Sequence, residues 1–175
     1  MLAAIPPRWP ALALADQEDD MHGRDIGSWA LLVARLMLAL VFLVSGLHKL
    51  ADLGATTQAI ASQGLPVPAM LALAAALFEI IGAISLVFGV GASSGALLLA
   101  LYLIPVTLVF HDFWNASAAA RPMQLIQFLK NVAIESGLIY VAVFGAGELS
   151  VDHWLSKHAK LPSWWPRPPS TAAQS

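Results

Sequence analysis

The chain has 175 residues, of which 58% are hydrophobic and 11% charged, and its formal net charge is −2. So few charges cannot cover the surface of a water-soluble domain of this size, and the composition points to an integral membrane protein. No basic stripe exists to meet phosphates, which excludes nucleic acid as a partner. The absence of cysteine excludes disulfides, thiolate metal sites, iron–sulfur clusters and any dithiol relay carried by the chain itself.

In chain order, residues 1–28 are expected to lie outside the bundle as a cytoplasmic, disordered extension. The stretch "ALALADQ" (11–17) has only a short apolar run before it, broken by Pro10, and so is a poor signal-peptide site. Met21 offers an alternative start. A membrane domain is expected over 29–146, built from four apolar runs at about 29–50, 68–90, 92–110 and 124–145. Each has the ~20 residues a helix needs to cross ~30 Å of hydrocarbon. The small-residue turn "GVGASSG" (89–95) forces the second and third runs into an antiparallel hairpin. Pro105 falls inside the third, where membrane helices tolerate it. Beyond the bundle, 147–175 reads as a cytoplasmic segment: "SVDHWLSKHAKL" (150–161) as a short amphipathic helix N-capped by Ser150, then a Pro-rich tail. The fold class is therefore all-α: an antiparallel four-transmembrane-helix bundle with a short C-terminal interfacial helix. An even number of spans puts both termini on one side. Arg8, Arg24, Lys157, Lys160 and Arg167 make that side cytoplasmic, against Arg121 and a boundary Lys49 opposite.

The polar residues within the spans carry the functional signal. On a helical wheel Gln124, Gln127, Asn131 and Glu135 form one stripe of the fourth span, while Lys130 stands about 100° from Asn131. In the first span Arg35, Ala39, Phe42, Gly46 and Lys49 share a face. In the second, Glu79 lies among Ala72, Ala75, Ala76, Gly82 and Ala83, the setting of a close helix–helix contact. A Lys or acid near a span's centre costs roughly 2.5–3.5 kcal/mol on insertion scales, against 0.3–0.6 returned by a large aliphatic residue or Phe. The fourth span, with two charges, is thus marginal alone and calls for pairing within the bundle. The expected pairs are Arg35 with Glu79 or Glu135, and Lys130 or Lys49 with Asp112. Two polar layers follow: a buried ionic network of Arg35, Glu79, Lys130 and Glu135, and an outer ligand-binding cluster of Lys49, His111, Asp112, Trp114, Asn115, Gln124, Gln127 and Asn131. His48 and His111 do not form a haem- or metal-ligating pair at membrane depth, and no metal site or self-contained catalytic motif is assigned.

At these same residues the chain resembles the DoxX family of small four-helix bacterial inner-membrane proteins. The resemblance rests on Arg35 with "SGLHKL" (45–50), "GLPVP" (64–68), Glu79 followed by Gly82 and Gly89, "HDFWN" (111–115), "QFLKN" (127–131) and "GAGELSVD" (145–152). It covers about residues 30–155. Glu135 departs from the pattern, which has a small or apolar residue there. The resemblance implies a multi-pass protein of the bacterial inner membrane, some members being linked to quinone-dependent thiosulfate oxidation and others to membrane oxidoreductase complexes. Three functions are then in competition: an accessory subunit of a redox system, binding quinone or a small sulfur compound beside an oxidoreductase partner; a scaffold whose buried charges only fix helix packing; and a small proton-linked transporter, which with four helices calls for a homo-oligomer.

Overall fold

The computed structural model describes residues 10–158, with side chains described from residue 26 onward. Those residues form six helices and no strand: α1 (Pro10–Ala51), α2 (Leu53–Ser62), α3 (Pro68–Phe88), α4 (Ala92–Phe110), α5 (Arg121–Phe144) and α6 (Val151–His158). Four segments are long and apolar enough to cross a membrane: Ile26–Ala51 of α1, and α3, α4 and α5 entire. The fold is an all-α bundle of four transmembrane helices. The cleavage-like stretch at 11–17 and Met21 fall where only the backbone is described, and that backbone is helical from Pro10. The disordered extension expected over 1–28 is thus replaced by helix from Pro10 onward. Its sequence explains this, because "ALALADQEDDM" consists largely of good helix formers and has no glycine before Gly23. The Pro-rich tail, with Lys160 and Arg167, and the last residues of the 150–161 stretch lie outside the described residues.

α1 packs mainly on α3, α3 on α4 and α4 on α5, while α1 and α5 touch only sparsely. Small residues permit the close approaches, as membrane helices require. A Cβ on Gly46 would come within 2.7 Å of Ile80 and 3.2 Å of Glu79 Cβ, and one on Gly82 would meet three Leu99 carbons at 2.5–2.8 Å. The core is correspondingly compact: Ala39, Ala83, Ala96, Leu86, Leu99 and Leu138 are wholly buried. Large side chains such as Met37, Leu40, Ile81, Leu101 and Val143 point outward and stay exposed, forming the apolar surface that hydrocarbon covers. Pro105 sits inside α4 without ending it.

Two elements depart from the expected outline. Part of the 51–67 connection is helical: Asp52 caps α2 by accepting the Ala55 N–H at 2.9 Å, and α2 lies against α3 with Ile60 buried. α6 is present, and Ser150 caps it by accepting the His153 N–H at 3.2 Å. Yet α6 docks on the bundle through a buried Asp152, whose two oxygens accept the N–H groups of Gly91 (2.9 Å) and Ala92 (3.1 Å) at the start of α4. A carboxylate there satisfies two otherwise orphaned donors and the positive end of the helix dipole.

Candidate functional site

Polar residues inside the bundle fall into two clusters at opposite ends of α1. At the end that shares a side with the Ile26 and Phe144 helix ends, called the inner end, Arg35 is 2% exposed and donates from Nη1 to the Ala146 carbonyl (2.5 Å) and from Nη2 to the Leu149 carbonyl (2.9 Å). Its Nε has no partner. The guanidinium fastens the "GAGEL" segment after α5 beneath the α3–α4 turn, where Gly89 passes so close that a Cβ would lie 2.8 Å from Nη1. Gly89 also has φ +65°, so both space and backbone conformation demand glycine. The expected pairing of Arg35 with Glu79 or Glu135 is not formed. α1 and α3 are antiparallel, Gly46 faces Glu79, and the height of Arg35 therefore matches Gly89 instead.

At the opposite, outer end Glu79, 4% exposed, is held from two sides. Lys49 Nζ donates to both carboxylate oxygens at 2.9 and 2.8 Å and to Ser45 Oγ at 2.6 Å, while the Tyr102 hydroxyl donates to Glu79 Oε1 at 2.9 Å. Three helices thereby meet at one carboxylate. Lys49 is thus the counter-charge of Glu79, not of Asp112. Lys130 makes no ion pair with Asp112 among the described residues, and Asp112 instead accepts from Asn115 Nδ2 at 3.1 Å in the turn after α4.

Beside this ion pair lies a cavity of about 750 Å³. α1 contributes Val41, Phe42, Val44, Ser45, His48 and Lys49 to it, α4 Leu103 and Val106, and α5 Lys130, Asn131 and Ile134, with Asp52, Ala55, Thr56, Glu79 and His111 completing the wall. Its floor is pinned by Asn131, buried, which donates to Thr107 Oγ1 at 3.0 Å while Thr107 donates to the Leu103 carbonyl at 2.7 Å. Where α4 ends, His111 lines the cavity and its Nδ1 lies 3.0 Å from Gln124 Oε1. The structure therefore brings Lys49, His111 and Asn131 of the expected outer cluster to one cavity, with Gln124 behind His111, and adds Glu79 and Lys130 from the expected ionic network. It does not bring Asp112, Trp114, Asn115 or Gln127 to the cavity wall. Trp114 packs edge-on against Phe113 and Phe128 outside it. Glu135 faces a separate, smaller cavity of about 150 Å³ between α4 and α5, where its Oε2 has no partner.

Ser45, His48, Asp52, Tyr102 and Thr107 were not among the expected site residues. Tyr102 and Thr107 carried a signal, being the two hydroxyls that interrupt the apolar run of α4 after its first turn. Asp52 and His48 stand at the junction where α1 ends and α2 turns to lie against α3.

The arrangement of Arg35, Lys49 and Glu79 on adjoining helices coincides with the segment that carries the family likeness. The model of the family described as DoxX matches residues 30–112. The inner membrane protein YphA of Escherichia coli (strain K12) is 32% identical over 122 residues, covering 70% of this chain and 87% of that protein. The chain belongs to the DoxX family. A second relative, the inner membrane protein YqjF of the same organism, is 29% identical over 133 residues, 76% of this chain and 95% of its own. No solved structure matches the chain. Within this DoxX protein the family match runs from Ala30 in α1 through α4, so it includes the Lys49–Glu79–Tyr102 cluster and ends at Asp112, before the α5 side of the cavity.

Proposed function

We propose that this DoxX protein resides in the bacterial inner membrane with both termini cytoplasmic, and that it binds a small molecule in the outer cavity as an accessory component of a membrane redox system. The observation that carries this reading is the cavity itself. Its volume of about 750 Å³ falls within the roughly 300–1,000 Å³ usual for small-molecule sites. Its walls combine apolar side chains with a few convergent polar groups, the usual make-up of a ligand pocket. A quinone ring fits these surroundings: Phe42, Leu103, Val106 and Ile134 would flank it, with Lys130 and His48 as donors to its carbonyl oxygens. The chain has no cysteine to carry electrons. Electrons would therefore come from an oxidoreductase partner, and the part of this chain is to hold and orient the ligand.

Mass spectrometry of the protein purified in native lipid tests this directly. Retention of a quinone or sulfur compound, lost on Lys130→Ala with His48→Ala, supports the reading. Ligand-free protein that recovers no oxidoreductase on affinity capture and takes up no added benzoquinone would overturn it.

The inner cluster favours a different role for Arg35. Its donors go to main-chain carbonyls, and its neighbour Asp152 caps α4, so this part of the scaffold reading applies to Arg35 and not to the cavity.

A further inference from the structure

α1 and α5 close the ring of helices only near its inner end. There Leu38 lies against Gly137, so tightly that a Cβ on Gly137 would stand 3.1 Å from both Leu38 methyl carbons. Further out the two helices part, and the cavity occupies the gap. Val41 and Val44 line the cavity yet are 44% and 53% exposed, and Lys130 on the opposite rim is exposed as well. Val44 lies five residues inward of Lys49 on α1, about 7–8 Å at the helical rise of 1.5 Å per residue. The unwalled side of the cavity is therefore at membrane depth, where lipid and not water is the neighbour.

The polar groups of the cavity narrow what can occupy it. The three N–H bonds of Lys49 are all committed, to Ser45 and to both oxygens of Glu79. Asp52 stands on the wall, its Oδ1 accepting the Ala55 N–H. Among the described residues, the wall groups without a hydrogen-bond partner are the Lys130 ammonium, the His48 imidazole and Nε2 of His111, whose Nδ1 faces Gln124. A divalent sulfur oxyanion would face one free cation, an opposing carboxylate and a valine-lined approach, a poor exchange for its hydration. A neutral head with one or two carbonyl oxygens on a slender apolar body matches the same surfaces.

We propose that the cavity opens sideways into the bilayer through the seam between α1 and α5, and that its occupant is a membrane-dissolved amphiphile with a carbonyl-bearing head, not a solute from the water phase. This rests on reading the cavity as a ligand site, and it selects the quinone-like class over the sulfur compound.

The chain's lack of cysteine makes the test clean. Val106→Cys, on α4 across the cavity, and Val44→Cys, on the rim, are each labelled with a small bimane fluorophore and reconstituted in phosphatidylcholine vesicles. Brominated acyl chains should quench both labels, approaching the loss seen for a lipid-facing label at Leu101, while aqueous iodide leaves them bright. Should the Val106 variant fail to fold, the Val44 label reads the same route. Quenching by iodide without quenching by brominated lipid overturns the lateral opening, as does resistance of both labels to both quenchers. A short-chain benzoquinone added to the vesicles should protect the labels from lipid quenching, and thiosulfate should not; the reverse result overturns the assignment of the occupant. Lipid quenching that neither compound relieves overturns the binding reading while the route stands.

Discussion

Glu79 shows how one residue's environment decides between structure and chemistry. It is an almost fully buried carboxylate in a membrane helix, tied to Lys49, and breaking such a pair by removing one partner costs about 3–5 kcal/mol. Lys49→Met should therefore destabilise the protein by about that amount. Tyr102→Phe removes a single hydrogen bond to a charged acceptor and should cost nearer 1.5–3 kcal/mol. The double variant Lys49→Met/Glu79→Gln removes both charges and should recover much of the loss. Thermal unfolding in detergent checks the ranking; equal damage from Tyr102→Phe and Lys49→Met would contradict it. The sequence already placed Glu79 at a small-residue interface and put both Arg35 and Lys49 on the facing side of α1. What it could not give was height. A helical wheel fixes the angle of a side chain and discards its position along the axis, so the layering that put Glu79 with Arg35, and Lys49 in the outer cluster, had the wrong height for Glu79. Arg35 was hard to read for a further reason, because its partners are main-chain carbonyls that no side-chain pattern announces.

The helices are joined by contacts that tolerate little change. A Cβ on Gly82 has no room against Leu99, which is itself wholly buried and cannot swing away. Gly82→Ala should cost about 1–3 kcal/mol through overpacking, whereas Gly27→Ala, with nothing within 4 Å, should be neutral or gain the roughly 0.5–1 kcal/mol of a helical Gly-to-Ala change. Unfolding midpoints of the two variants in one detergent provide the comparison. At the inner end, Asp152→Ala uncaps α4 and should cost on the order of 1–2 kcal/mol, and it should also release α6, seen as faster proteolytic trimming after Phe144 with the spans intact. The four spans were legible because twenty-residue apolar runs have few other uses. α2 was not, because "LGATTQAIAS" is too short and too mixed to show a period, and its stability comes from the Asp52 cap and packing on α3. α6 was legible as an amphipathic helix but not as a docked one: the anchoring residue is Asp152, which satisfies backbone donors of another helix.

At the scale of the whole molecule, the four spans put the Ile26 and Phe144 ends on one side of the membrane and the His111–Arg121 loop on the other. The side of the termini also holds the Gly89–Ala92 turn and the Arg35–Asp152 cluster. Positively charged residues near span ends favour the cytoplasmic face, and Arg24 and Lys157 flank the terminal side against Arg121 on the other. The difference is small, so orientation is open to direct test with the same cysteine-free background. A cysteine in place of Ser117, exposed in the loop before α5, should react with a membrane-impermeant maleimide added outside spheroplasts. One in place of Ser94, exposed at the opposite end of α4, should react only after the membrane is opened. The outcome bears on function, because the cavity and its Lys49, Lys130 and His111 belong to the Ser117 half of the bundle. With that half outward, the proposed ligand would sit in the periplasmic half of the bundle, and a partner subunit would have to approach it from there. The reverse labelling pattern would turn the cavity to the cytoplasm, and the search for an oxidoreductase partner would then move to that face.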